Sequence, residues 1–203
     1  MMKVNITEKV CYLIIINLSK ERSIMSIQKQ FLWINIIGGL SVLGGYVYAL
    51  LEHTVLRAQI WGGVPETWQP WITMFMFISG FGYCYGMYYL IFNEGLNLKF
   101  FGGKYEASIM RTLLILFLVS ASMWIHSTFN YLELPNANSW NMIRIELWCT
   151  ALSILFMTVG LATAKGIKNT KVHKLSVVGL GIISFHCLVF DAILWTSNFP
   201  TDF

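Results

Sequence analysis

Five apolar runs constrain this chain more than any other feature. They occupy roughly residues 31–51, 70–92, 110–130, 142–164 and 175–196. Each is close to the ~20 residues an α-helix needs to cross a ~30 Å hydrocarbon core. One such run would suit a buried helix of a soluble protein. Five of them, joined by short polar loops, leave too little polar surface to cover a soluble particle. The chain is only 12% charged, against about 25% in soluble domains. The pattern predicts an all-α, polytopic integral membrane protein built as a bundle of five transmembrane helices.

Lys and Arg set the expected orientation. Lys3, Lys9, Lys20, Arg22 and Lys29 precede the first run; Lys99, Lys104 and Arg111 lie between the second and third; Lys165, Lys168, Lys171 and Lys174 lie between the fourth and fifth. Only Arg57 and Arg144 fall on the other side, so twelve of the fourteen cations occupy alternate loops. That bias marks the cytoplasmic face and predicts a cytoplasmic N-terminus and an outside C-terminus. The net charge of +4 is then a topology signal, with lipid as the partner and no nucleic acid. Composition fits a plasma (inner) membrane and an organelle membrane equally.

Residues 1–30 form an N-terminal cytoplasmic segment ahead of a single domain, 31–203. Its short apolar core, Val10 to Leu18, resembles a signal peptide without a small-x-small cleavage site. "MSIQKQFLWINIIGG" is a natural first span, so translation from Met25, with the upstream piece as a gene-model extension, is the favoured expectation. The cysteines, Cys11, Cys84, Cys149 and Cys187, make no CxxC pair, and three lie in spans as small hydrophobes.

Helices in lipid pack through small residues, and a 3.6-residue period sorts such residues into stripes. The first run has Ser41, Gly45 and Ala49. The second has Ser79, Gly82 and Gly86, and the third Ser122, His126 and Asn130. The fourth has Glu146, Thr150, Ser153, Met157 and Gly160, and the fifth Ser176, Gly179, Ile183 and His186. Seven of eight tryptophans map to the outer half, as an aromatic belt would.

Ionisable residues at depth are expensive and usually have partners. Eight candidates gather toward the outer side: Glu52, His53, His126, Asn130, Arg144, Glu146, His186 and Asp191. The first expectation is a network fixing helix register, with Arg144 pairing Asp191 or Glu146 and His126 pairing Asn130 or a carboxylate. Arg144 lies about 200° around its helix from Glu146. Asp191, five residues past His186, points about 140° away from it in an α-helix, so the two are not expected to pair. A second expectation is a divalent or transition metal held by His126, Glu146, His186 and Asp191, although no HxxxH or HExxH spacing supports it. A third is a small hydrophobic ligand or a proton, handled by imidazoles that titrate near neutral pH.

No phosphate-binding loop, nucleophile elbow or dinucleotide fingerprint is present. Ser127 and Thr128 beside His126 make no nucleophile pair, because adjacent helical residues face apart. The expectation therefore leans toward a non-catalytic binding, accessory or assembly subunit, alone or as a homo-oligomer, with an outward-facing polar cavity under loop 52–69. A membrane-embedded metal-dependent enzyme comes second and a small-molecule or proton transporter third.

Overall fold

The computed structural model describes residues 25–201. The expected extension ahead of Met25 lies outside the described residues. Five helices are long and apolar enough to span a membrane: α1 (Ile27–Glu52), α2 (Gln69–Phe92), α3 (Ala107–Glu133), α4 (Ala137–Ala162) and α5 (Thr170–Asn198). Their starts follow from local chemistry. Ser26, Asn136 and Asn169 cap α1, α4 and α5 by accepting from Lys29, Ser139 and Val172 backbone N–H groups, and Pro70 sits in the first turn of α2.

α3 packs most extensively on α4, α2 on α5, α1 on α3, and α4 on α5. The chain therefore places its second span beside its fifth and its first beside its third. α4 is central and α1 peripheral: half of the most apolar stretch of α4 is buried, against 6% of that of α1. The expected small and polar stripe of α4 is its packed face, since Glu146, Thr150, Ser153, Met157 and Gly160 are all buried.

At one end of the bundle the loops between α2 and α3 and between α4 and α5 are tied together. Lys99 and Lys165 exchange backbone hydrogen bonds of 3.2 and 2.8 Å, and Gly102 N–H donates to the Thr163 carbonyl at 3.0 Å. Lys168 pairs with Glu94, and Lys99 with Glu106, across the same loops. The ammonium beside Glu106 holds that exposed carboxyl below its ordinary range. Arg111 donates to Gln30 and brings the start of α1 to this end. Eight of the ten described cations, all except Arg57 and Arg144, lie at or beside it.

The opposite end is closed by an aromatic cluster. Trp195 lies 5.6 Å from Trp124, 5.9 Å from Trp140 and 4.4 Å from Phe199 between ring centroids. Trp140 and Trp195 are buried, whereas Trp68 and Trp71 are exposed. The tryptophans at this end of the bundle thus divide between an internal plug and a rim. The Trp195 indole also donates to the Ile60 carbonyl at 2.8 Å, and Gly63 N–H donates to the Asn198 carbonyl at 2.8 Å. Both bonds fasten the loop 53–68 to the end of α5. Trp195→Phe keeps a ring in the cluster and removes the first bond. It is expected to lose about 1–2 kcal/mol in a denaturant titration and to speed proteolysis within 53–68.

Candidate functional site

The last helix departs from α geometry where its polar residues sit. Thr170–Phe185 is α-helical, His186–Trp195 is a π-helix, and Thr196–Asn198 is a final α turn. A π-helix closes its hydrogen bonds between residues five apart, so a residue five positions on sits above its predecessor. The expected 140° offset between His186 and Asp191 is therefore corrected: Nε2 of His186 lies 3.6 Å from Oδ1 of Asp191. The His186 ring stacks on Phe75 at 6.0 Å and 15° and meets Phe190 edge-on at 5.5 Å. Its Nδ1 is buried without a partner among the described residues.

Asp191 keeps a third of its side chain exposed, and the Cys187 thiol, one residue after His186, stands beside it. Tyr46 of α1, whose ring meets Trp124 edge-on at 5.7 Å, stands within electrostatic reach of Asp191. The pair is thus enclosed by groups that carry no positive charge. Arg144 is not its counter-ion. It is exposed on α4 and makes no ion pair among the described residues, as its 200° offset from buried Glu146 requires.

A second group forms on α3. Ser122, His126 and Asn130, at steps of four, line an open groove of about 420 Å³ together with Ser41, Met123 and Ser127. His126 pairs with neither Asn130 nor a carboxylate among the described residues. Its ring lies 6.3 Å from that of Tyr48, and a Cβ on Gly45 would stand 3.1 Å from its Nε2. Glycine at 45 is what lets the imidazole lie against α1.

Ser127, about 100° around α3 from His126, borders the same groove and also reaches α4. Its hydroxyl donates to Oε1 of Glu146 at 2.9 Å. Glu146 is 4% exposed, and its Oε2 has no hydrogen-bond partner among the described residues. The neighbouring Thr150 donates to Ser120 at 2.7 Å, joining the same two helices one turn further in.

At the rim, His53 pairs with Glu133 at 3.0 Å and stacks on Phe129 at 4.4 Å, joining the ends of α1 and α3. Glu52 is exposed beside it. Under loop 52–69 lies an open depression of about 590 Å³ lined by Trp61, Glu66, Gln69, Pro70, Thr73, Met74 and Phe77. None of the eight candidate residues lines it, and His186 and Asp191 line neither depression.

The eight residues therefore divide into His53, which pairs at the rim with Glu133 from outside the set, an open groove with His126 and Asn130 backed by the buried Glu146, and an internal His186–Asp191 pair, with Glu52 and Arg144 outside all three. Among the described residues no three His, Cys, Asp or Glu side chains are gathered to hold a metal ion. Sequence periodicity places Cys187 in the same helical row as Asp191 but missed Ser127 and Tyr46, whose importance comes from neighbours on other helices. No family model, curated protein or solved structure matches the chain.

Proposed function

We propose that this chain is a multi-pass integral membrane protein, N-terminus cytoplasmic and C-terminus outside, serving as a non-catalytic binding or assembly subunit. The groove on α3 is where it receives another membrane-spanning helix. The cations collected at one end of the bundle support the orientation, since they follow the bias that retains loops in the cytoplasm.

The open row Ser122, His126 and Asn130 carries the assembly reading. His126 lies seven residues before the end of α3, about 10 Å along the helix, within the depth of the hydrocarbon. Polar side chains at such depth face protein or water because lipid offers them no hydrogen bonds. Here three polar side chains open outward, with α1 alongside contributing Ser41. Small and hydrogen-bonding residues of this kind hold helices together in membranes, each cross-helix bond contributing roughly 0.6–2 kcal/mol.

The test is the particle mass of the full chain, extracted from its own membranes in mild detergent. A mass above that of one chain is expected, together with protection of a Met123→Cys thiol from maleimide. His126→Leu with Asn130→Leu is expected to release the chain as a helical monomer. A wild-type monomer with a freely labelled Met123→Cys thiol overturns the proposal.

A further inference from the structure

We propose that Glu146 is a proton-binding site, loaded and emptied from the α3 groove through the hydroxyl of Ser127. The inference needs no partner chain, but a helix seated in the groove would cover Ser127, so the relay is read in single chains with the groove open. Three observations carry it. Glu146 is almost wholly buried by the protein itself. Among the described residues no Lys, Arg or His nitrogen of α3, α5 or any other element lies within ion-pair distance of its carboxyl. Arg144, its nearest cation along the chain, is exposed on the other side of α4.

Among the described residues one carboxyl oxygen takes a hydrogen bond from Ser127 and the other takes none. A buried carboxylate with a single neutral donor is costly, and such a group neutralises by taking a proton. Ser127 both hydrogen-bonds to Glu146 and lines the groove.

A serine hydroxyl both donates and accepts, which makes a balanced relay. A hydrated proton on the groove side binds Oγ of Ser127 while the hydroxyl's own proton passes to Oε1 of Glu146. The serine is regenerated and the carboxylate becomes a carboxylic acid. Release is the reverse. Nothing is oxidised or reduced.

The experiment is infrared spectroscopy of the full chain in lipid nanodiscs, with carbodiimide labelling alongside. A protonated-carboxyl band at neutral pH is expected, absent in Glu146→Gln and moved in frequency in Glu146→Asp. On transfer to heavy water the band shifts as its proton exchanges. Ser127→Ala is expected to keep the band and slow the exchange by about ten-fold or more, as loss of a relay group does.

A hydrophobic carbodiimide adds the carboxyl O–H across its C=N bond with no leaving group. The Glu146 peptide should therefore carry the full reagent mass, while those of exposed Glu66 and Glu133 do not. If neither Glu146→Gln nor Glu146→Asp alters a protonated-carboxyl band, or if exchange is as fast in Ser127→Ala as in wild type, the proposal is overturned. Nanodiscs that hold one chain each leave the groove uncovered, so a failure of the docking proposal and a failure of this one are told apart.

Discussion

Gly179→Leu is expected to be among the most damaging single substitutions in the bundle. A Cβ on Gly179 would stand 2.5 Å from the carbonyl oxygen of Gly82, and one on Gly82 would stand 2.6 Å from that of Gly179. Each obstacle is main chain, so no side chain can rotate aside and the two helices must part. Overpacking ordinarily costs about 1–3 kcal/mol. Here the displacement also loosens the α2–α5 contact along its length, so about 3 kcal/mol or more is expected.

Gly86→Ala makes the graded comparison. Its Cβ would meet the Leu180 side chain at 2.6 Å, which can shift rotamer, so about 1 kcal/mol is expected. Gly80 and Gly181 face open space, and their alanine variants should stay within about 0.5 kcal/mol of wild type. Unfolding in mixed micelles, followed by tryptophan fluorescence, ranks the four variants. If Gly179→Leu unfolds with Gly181→Ala, the backbone contact between α2 and α5 is refuted.

That contact was legible as two separate stripes, Gly82–Gly86 in the second run and Ser176–Gly179 in the fifth. Period 3.6 identifies the close-packing face of a helix. It does not say which helix comes to meet that face, so the pairing of the second span with the fifth was not legible. The positions of the five long helices were readable because each is one continuous apolar run bounded by polar loops. α2 matches the expected 70–92 almost residue for residue, whereas α5 begins at Thr170 rather than near 175. Its first turn carries Lys171 and Lys174, which a count of apolar residues passes over although Asn169 caps the helix there.

The outer cluster was legible as a set of residues and not as a geometry. Every expected partnership assumed α-helical spacing and free reach between helices. Ten residues of π-helix changed the first assumption. Burial of Arg144's expected partner on the far side of α4 removed the second. No periodicity marks the π segment in advance, because ten residues make too few turns to tell a 3.6-residue turn from a wider one.

The His186–Asp191 pair is the place to ask what the π turn is for, and a double replacement answers it. His186→Phe preserves the stacking on Phe75 and Phe190 and leaves Asp191 with only the Cys187 thiol and its surroundings. Breaking a buried pair from one side costs about 3–5 kcal/mol. Because a third of the Asp191 side chain is exposed, about 1–3 kcal/mol is the expected loss.

Adding Asp191→Leu removes the stranded carboxyl. Replacing both members of such a pair by apolar groups is often neutral or stabilising, so the double variant should recover most of the loss. The coupling measured by the cycle is then well above the ~0.5 kcal/mol scatter of independent sites. A double variant as unstable as His186→Phe alone would mean that the pair does not couple and that the ring's contacts hold this turn. A double variant that is stable but no longer assembles at the groove separates stability from function. The polar pair is then kept for the shape it gives the end of α5, where Trp195 reaches Ile60, and not for the energy of its own contact.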